Sequence, residues 1–334
     1  MSHSNTILVT GASGFIGSHV VVQLLDAGYR VKGIARGAKL DLLREHFKSN
    51  PQFGAVQVDD IVSGDFTAAL KVMSLDVSAV IHVASPLAGR EAPEAALNSA
   101  LEGTLNILRQ SIRAGVRKVV LTSSWATTLD RWGSTSREDV LAAGRKPFYV
   151  YCGTKTLAEQ AAWRLAEEHA ELDLATINPP FVYGAPVAGL SPGGPAALGT
   201  NALIHQLIAG EPGRALPPQL PPYYCNVRDV ARAHILALGL PKLAAGADVR
   251  DKRFIVAGPG AILWADAVKT LLARRPALRD RLPTLEDAPP LPGTLSKVDT
   301  TRAREVLGVK EYVGQDETLL ETVDALLELE KTWK

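Results

Sequence analysis

Two side chains four positions apart, Tyr151 and Lys155, have the types and the spacing of a proton-transfer pair. Residues at positions i and i+4 lie on one face of a helix, so the phenol and the ammonium group can point into one site. An unperturbed phenol has a pKa of about 10, and a neighbouring cation lowers it towards the working range of an enzyme. The pair therefore predicts a tyrosine acid whose pKa is lowered by Lys155.

Two serine hydroxyls stand at the end of a predicted strand. The apolar, β-branched run 116–123 is typical of a buried strand, and Ser124 follows it. Ligands of open parallel sheets bind at the carboxyl ends of the strands, where a hydroxyl can polarise a carbonyl oxygen. Because successive strand residues point to opposite faces, only one serine can serve. We expect Ser124, with Ser123 as the competing candidate.

A glycine-rich segment near the N-terminus has the pattern of a phosphate-binding turn. Gly11, Gly14 and Gly17 follow G-x-x-G-x-x-G spacing between a predicted strand and a predicted helix. The first glycine permits a tight turn, the second lets backbone N–H groups approach a pyrophosphate, and the third lets the helix pack closely on the strand. The helix N-terminus adds unpaired N–H groups and a partial positive charge. The segment therefore predicts dinucleotide binding.

The end of the second predicted strand distinguishes the two nicotinamide dinucleotides. NAD-binding enzymes usually place a carboxylate about 20 residues beyond the glycines, on the ribose 2′-hydroxyl. Here Arg36 occupies that position, and no carboxylate follows it until Asp41. A planar guanidinium suits a 2′-phosphate, and Lys39 can add a second positive charge. We therefore expect NADP(H) as the cofactor.

Alternating strand and helix patterns position these residues. The predicted strands cover residues 6–10, 29–35, 55–59, 79–84, 116–123 and 174–177. The predicted helices cover residues 15–27, 95–114, 154–171 and 317–330. Continuous apolar strands that alternate with helices indicate an α/β protein with a doubly wound parallel sheet, covered by helices on both faces.

The composition changes after Asn178. Residues 179–222 are dense in proline and glycine, which predicts a segment without regular sheet or long helix. Such a segment is either a linker or part of a packed lobe, and the apolar patch at 198–208 favours the lobe. We predict a dinucleotide-binding domain over residues 1–178, to which 223–257 return, and a smaller, discontinuous substrate lobe formed by 179–222 and 258–334.

The overall composition excludes several classes of protein. The chain has 334 residues, 46% of them apolar, and 36 basic against 35 acidic side chains, so neither disorder nor a nucleic-acid or membrane partner is favoured. Cys152 and Cys225 cannot form a disulfide framework, and neither a membrane-spanning run nor a signal-peptide pattern is visible. His205 and His234 lack spacing to a second ligand, so no metal is expected. We expect a cytoplasmic protein.

With these motifs, the chain resembles the extended short-chain dehydrogenase/reductase superfamily. Within it, the chain is similar to the group of dihydroflavonol reductases and fungal NADPH-dependent aldehyde (carbonyl) reductases. The segment that begins at Lys155 is the most specific to this group, and the likeness beyond Gly258 is thin. The matching segments are 10–18, His82-Val83-Ala84-Ser85-Pro86, Asn98 with 103–106, 121–124, 155–163 and 226–234.

The resemblance implies a Rossmann fold and roles for individual residues. Ser124, Tyr151 and Lys155 match the catalytic residues: the serine polarises a carbonyl, the tyrosine protonates it, and the lysine also binds the nicotinamide ribose. The pair at 60–61 flanks the adenine, although Asp59 leaves its register open by one. The implied cofactor-binding residues are Gly11, Ser13, Gly14, Phe15, Ile16, Gly17, Arg36, Lys39, Asp60, Ile61, Val83, Ala84, Ser85, Tyr151, Lys155, Pro179 and Val182.

The substrate side is less defined. We expect Ser85, Trp125, Phe181 and Tyr224 to contribute to it. The group commonly has a small residue or threonine at the position of Trp125, so this indole either narrows the pocket or packs against the lobe.

The main expectation is an NADPH-dependent carbonyl reductase, monomeric or homodimeric, that acts on a small uncharged aldehyde or ketone. The alternatives are an epimerase or dehydratase of a nucleotide sugar and a non-catalytic NADP-binding sensor. Within 179–222 only His205 and Arg214 are basic, which disfavours a diphosphate substrate. The retained Tyr151 and Lys155 pair disfavours a sensor.

Overall fold

Nine strands define the architecture of the residues that the structure describes. The computed structural model describes residues 5–71, 77–85, 91–128, 134–191, 193–244, 246–286 and 295–333. The strands are β1 Thr6–Thr10, β2 Arg30–Ala35, β3 Phe53–Gln57, β4 Val77–His82, β5 Lys118–Thr122, β6 Asp173–Asn178, β7 Phe181–Tyr183, β8 Tyr224–Asn226 and β9 Arg253–Ile255. Seven of them form one parallel sheet in the order β3-β2-β1-β4-β5-β6-β9, and β7 pairs with β8 in a small second sheet.

Helices cover both faces of the large sheet. The helices are α1 Phe15–Asp26, α2 Ala38–His46, α3 Thr67–Leu70, α4 Pro93–Arg113, α5 Arg137–Leu141, α6 Pro147–Glu168, α7 Ala202–Ile208, α8 Val227–Leu238, α9 Trp264–Arg274, α10 Thr301–Glu305 and α11 Gln315–Glu330. Helices α1 and α8 pack together on one face, and α4 and α6 pack together on the other. The expected doubly wound, Rossmann-like fold is therefore confirmed.

The strand composition follows from this two-sided burial. Ile7 and Val9 of β1 join the apolar cluster under α1 and α8, whereas Leu8 between them joins the cluster under α4 and α6. All five residues of β1 are buried. Because both faces are covered, the central strands are apolar throughout instead of alternating.

A third apolar cluster lies apart from the two faces of the sheet. It is built largely from α7, α9 and α11, with Ile204, Val268 and Val323 fully buried in it. Ala303 and Leu307, which also come late in the chain, pack instead in the cluster under α1 and α8. The division into two domains at the predicted boundaries stays a prediction.

Several elements differ from those predicted. The prediction that residues 179–222 carry no regular sheet was wrong for β7, whose pairing partner β8 lies some forty positions further along. Helix α6 begins at Pro147, ahead of the predicted start at residue 154, because proline is well suited to the first position of a helix. Among the described residues, no helix combines the length and apolar character needed to cross a bilayer.

Candidate active site

The glycine turn has little room for side chains. Gly11 has a φ of +67°, and a Cβ there would lie 2.9 Å from the backbone nitrogen of Ala84. A Cβ on Gly17 would lie 2.0 Å from the carbonyl oxygen of Gly11. Both positions therefore require glycine, and the turn brings the end of β1 against the segment that follows β4.

The N-terminus of α1 is open to an anion. No side chain caps it at Gly14, and its first turn carries no acidic residue. Ser13, Phe15 and Ile16 around it are half-buried. Free N–H groups and the helix dipole favour a phosphate at this place, so the turn fits the pyrophosphate of a dinucleotide.

The Thr10 hydroxyl joins the turn to the end of β4. It accepts hydrogen bonds from the backbone N–H groups of Val83 and Ala84, both at 3.2 Å, and lies 2.7 Å from His82 Nδ1. Because the two N–H groups occupy its lone pairs, the hydroxyl donates to Nδ1 and leaves the imidazole proton on Nε2. Burial, and then the charge of Lys155, lower the pKa of His82 to about 3. The hydrogen bonds of the Thr10 hydroxyl hold residues 83–84 beside the glycine turn. Ser85 is half-buried, and Pro86 lies outside the described residues.

The residues expected around the adenine and its ribose lie at the ends of β2 and β3. Arg36 is exposed and donates through Nη1 to the carbonyl oxygen of Asp59 at 2.8 Å. Hydrogen bonds from Ser63 and Val62, with the charge of Arg36 adding less, lower the pKa of the Asp60 carboxyl. Arg36 and Asp60 therefore face one another, and Lys39 lies exposed in the first turn of α2.

Helix α4 holds the loop that contains Ile61. A Cβ on Gly103 would lie 2.8 Å from the Ile61 side chain, so the helix approaches the loop closely. Asn106 Nδ2 donates to the carbonyl oxygens of Ile61 and Gly64 at 3.1 and 3.0 Å. These contacts explain why a motif in α4 accompanies the cofactor residues in sequence.

The structure places Ser124 and Tyr151 close together. Ser124 is 7% exposed and lies just beyond β5, and α6 packs against the residues 125–128 that come next, which places the Ser124 hydroxyl near enough to act on the Tyr151 phenol. Burial raises the pKa of Tyr151 above its ordinary value, and the Ser124 hydroxyl opposes this by less. Tyr151 is therefore a neutral phenol, and a possible proton donor, throughout the neutral range.

The expected effect of Lys155 on Tyr151 requires a correction. Lys155 Nζ donates to the carbonyl oxygen of Thr122 at 3.4 Å, and the pKa of the Tyr151 phenol is raised and not lowered. The net direction is upward because the desolvation of the half-buried Tyr151 outweighs the opposing effect of Ser124. Burial also lowers the pKa of Lys155 to about 8, against the opposing charge of Glu159.

The competing serine points elsewhere. Ser123 Oγ donates to Glu159 Oε2 at 2.5 Å, on a buried carboxylate that lies one helical turn beyond Lys155. Ser123 and Ser124 therefore serve different partners, as the alternation of side chains near a strand end requires.

One aromatic residue next to the tyrosine was missed by the sequence analysis. Phe148 is 39% exposed, and its ring stacks on Tyr151 and on Phe181 with centroid separations of 6.4 and 6.3 Å. Phe181 in turn stacks on Tyr183 at 6.4 Å. The i−3 position of Phe148 would have revealed it, had α6 been predicted to begin at residue 147.

The remaining predicted residues lie in packed surroundings. Trp125 is 8% exposed and packs on the ring of Tyr223, with the centroids 5.0 Å apart. Tyr224 is fully buried, and its hydroxyl donates to main-chain carbonyl oxygens, so it is not presented to a ligand. Pro179 is buried and accepts a hydrogen bond from the Trp125 backbone, and Val182 is 5% exposed.

Comparison with known proteins identifies the family of the chain. The model of the NAD dependent epimerase/dehydratase family matches residues 7–249. The chain belongs to this family. The match spans the glycine turn, the strand ends and α6, so the family covers every part of the site described above.

Two fungal relatives extend over nearly the whole chain. The ketoreductase azaE of Aspergillus niger is 33% identical, over 92% of this chain and 94% of that protein. The NADPH-dependent methylglyoxal reductase GRE2 of Saccharomyces cerevisiae is 29% identical, over 97% of this chain and 99% of that protein. The resemblance to fungal reductases is therefore confirmed.

Solved structures agree with this assignment. The crystal structure of yeast methylglyoxal/isovaleraldehyde reductase Gre2 complexed with NADPH has a TM-score of 0.83 at 27% identity, and covers 98% of this chain and 99% of that chain. The UDP-glucose 4-epimerase of Bifidobacterium longum, at a TM-score of 0.71 and 19% identity, covers 98% of this chain and shows the shared fold alone.

Proposed function

We propose that this protein uses NADPH to reduce an aldehyde or ketone to an alcohol. The observation that carries the proposal is the placement of Ser124, at the carboxyl end of β5, beside Tyr151 of α6, at the same ends of the parallel strands that carry the glycine turn. Its reductase relatives, azaE and GRE2, support the same chemistry.

The cofactor would be held by residues at the ends of the parallel strands and at the start of α1. The N–H groups at the start of α1 bind the pyrophosphate, and Arg36 and Lys39 bind the 2′-phosphate. Asp60 and Ile61 would flank the adenine, and Val83, Ala84 and Ser85 would contact the ribose and pyrophosphate. Pro179 and Val182 would contact the nicotinamide. NADPH, when bound, supplies the hydride that the carbonyl carbon accepts.

Three side chains act on the carbonyl oxygen and its charge. Ser124 donates a hydrogen bond to the oxygen and polarises it, and Tyr151 transfers its proton to the oxygen as negative charge develops there. The Lys155 ammonium binds the ribose and stabilises the phenolate that this transfer leaves behind. The raised pKa of Tyr151 favours the neutral phenol, which is the form that reduction requires.

The two basic groups of 179–222 support an uncharged substrate over a nucleotide sugar. His205 Nε2 lies 2.9 Å from Glu330 Oε1, and Arg214 donates to main-chain carbonyl oxygens that include those of Gln206 and Leu207. Both groups are therefore engaged within the lobe instead of being free for a diphosphate.

The test is a panel of aldehydes, ketoesters and aryl ketones, assayed by the loss of NADPH absorbance. We expect NADPH consumption with at least one class and much weaker consumption with NADH. No consumption with any carbonyl, combined with turnover of a nucleotide sugar, would replace this proposal with the epimerase alternative. Binding of NADPH without any turnover would favour the sensor.

A further inference from the structure

A buried carboxylate with no place in the reaction above lies directly behind it. Glu159 of α6 is 1% exposed and follows Lys155 by one helical turn. Its Oε1 accepts from Arg253 Nε at 2.7 Å and from Trp163 Nε1 at 3.2 Å, while the single proton of the nearby Thr176 hydroxyl goes to Asn178 Oδ1 at 2.8 Å. Its Oε2 accepts from Ser123 Oγ at 2.5 Å and Asn178 Nδ2 at 2.8 Å.

All of these partners donate, so the acceptor-only carboxylate form satisfies them together. Arg253 supplies the opposite charge within the same cluster. A buried ion pair with this many hydrogen bonds has one well-defined geometry, and it costs desolvation energy that a packed apolar core would avoid. The cluster thus requires a reason beyond stability.

The cluster leads to Ser124 along the main chain and through neighbouring side chains. Asn178 Nδ2 donates to the carbonyl oxygen of Ser124 at 3.2 Å, and Thr127 Oγ1 donates to the same oxygen at 2.8 Å. Arg253 Nη2 donates in turn to Thr127 Oγ1 at 2.6 Å. Glu159 orders both Asn178 and Arg253, and it binds Ser123, the residue before Ser124.

The cluster also acts on Lys155 through charge. In the described part of the chain, the titratable groups that interact with the charge of Lys155 are His82 from β4 and Glu159 from α6 itself. Only Glu159 is an anion, and its charge raises the pKa of Lys155 against the effect of burial. Arg253, on the far side of the carboxylate, neutralises part of that charge.

We propose that Glu159 is a positioning residue of the reduction, which fixes Ser124 through Ser123, Asn178 and Arg253 and keeps Lys155 in its ammonium form. The inference rests on the proposed function, because it assigns Glu159 to the same reaction. Glu159 touches neither substrate nor cofactor in this role.

The decisive variant is Glu159→Gln, which keeps the size of the side chain and removes the charge. We expect kcat to fall by between about tenfold and 100-fold, because a small displacement of a reacting group is that costly, with little change in the Kd of NADPH. The alkaline limb of the pH profile should also move to lower pH by about one unit, since Lys155 loses the anion that raises its pKa. The matched control is Glu167→Gln on the same helix, where Glu167 pairs with Arg250 on the surface at 2.6 Å and both parameters should stay unchanged.

A second variant separates positioning from charge. Ser123→Ala removes one hydrogen bond and leaves the carboxylate, so we expect a lower kcat with an unshifted alkaline limb. The charge effect is measured without turnover by NMR titration of 13C-labelled lysine in the cofactor-free protein, with Lys155→Met used to assign the resonance.

The outcomes are distinguishable from those of the proposed function. An inactive wild-type chain would refute carbonyl reduction itself. An active wild type with an unchanged kcat and pH profile in Glu159→Gln would overturn the positioning role alone. Should Glu159→Gln not fold, Ser123→Ala decides, and an unchanged kcat there would overturn the proposal.

Discussion

The two sides of the site are built in different ways. On the side of the sheet, Ser124 and Lys155 are less than one-tenth exposed and are held by hydrogen bonds to main-chain and buried polar groups. On the opposite side, Phe148 exposes 39% of its surface and contacts Tyr151 and Phe181 through ring faces.

This difference separates two tasks. A buried, hydrogen-bonded group has one position, as proton transfer requires, whereas an exposed ring can adapt to what lies against it. We therefore expect the loss of single atoms on the sheet side to reduce turnover. We expect the loss of whole rings on the aromatic side to reduce binding.

The largest effect is expected from Tyr151→Phe. This change removes one oxygen, the proton donor of the proposed reduction, and leaves the ring in place. Turnover should fall roughly 1,000-fold, within the range for loss of a general acid, while the Kd of NADPH measured by fluorescence stays the same. The control is Tyr149→Phe, which removes a phenol oxygen two positions earlier in α6. This variant should retain wild-type kcat. An active Tyr151→Phe enzyme would contradict proton transfer by Tyr151, and with it the assignment of the chemistry to the sheet side of the site.

Arg36→Asp tests an exposed residue that acts through charge instead of burial. Replacing a cation by an anion removes the partner of the 2′-phosphate and offers an acceptor to a 2′-hydroxyl. We expect the preference for NADPH over NADH to fall by roughly 10- to 100-fold, the range for loss of a charged hydrogen bond.

Arg44→Asp provides the control for this change. Arg44 is exposed on α2 and pairs with Asp41 at 3.7 Å. The Arg44→Asp variant should leave the ratio of kcat/KM for NADPH to kcat/KM for NADH unaltered. An equal ratio in wild type and Arg36→Asp would reject the phosphate assignment.

Much of the fold could be predicted because it is encoded locally. A buried strand appears as a continuous apolar run, and a covering helix as apolar residues with helical spacing, so the first six strands and the helices α1, α4, α6 and α11 were recognised. Helices α8 and α9, with 12 and 11 residues, were not predicted. Strands β7, β8 and β9 have three residues each and carry no periodicity. Their existence depends on pairing between distant positions, such as Phe181 with Tyr224.

The site divides in the same way. The glycine turn and the pair Tyr151 and Lys155 lie within one turn or one helix, where spacing alone determines proximity. The Glu159 cluster joins residues that are far apart, since Arg253 follows Glu159 by 94 positions. The direction of the Tyr151 pKa depends on how deeply the fold buries the phenol, which no local pattern contains.

Phe148→Ala tests the aromatic side. Removing the exposed ring should raise KM for aryl ketones roughly tenfold, because a ring that becomes covered by the aryl group of a bound substrate contributes one to a few kcal/mol to binding. The change in kcat should be much smaller. Small aliphatic aldehydes should show a weaker effect on KM.

The neighbour of Phe148 gives a matched control for exposure. Tyr149 is 40% exposed, and its ring lies under the Arg145 guanidinium at 4.4 Å. Tyr149→Ala should leave KM for both substrate classes unchanged. A fall in kcat with unchanged KM in Phe148→Ala would show that the two sides do not divide chemistry from binding.

The smallest effect concerns pH and returns to the sheet side. Burial lowers the pKa of Lys155 to about 8, so its ammonium is present below that pH and is lost as the pH rises through it. Half a unit above the pKa, turnover should be roughly fourfold lower than on the plateau, as follows from the fraction still protonated. Cys152, with a pKa raised to about 11, and His82, with one near 3, titrate elsewhere, and the phenol of Tyr151 titrates above its ordinary range. Lys155→Arg, whose side chain keeps its charge, should lose this limb in a plot of kcat against pH. If the limb persists there, the titrating group lies outside the buried side of the site.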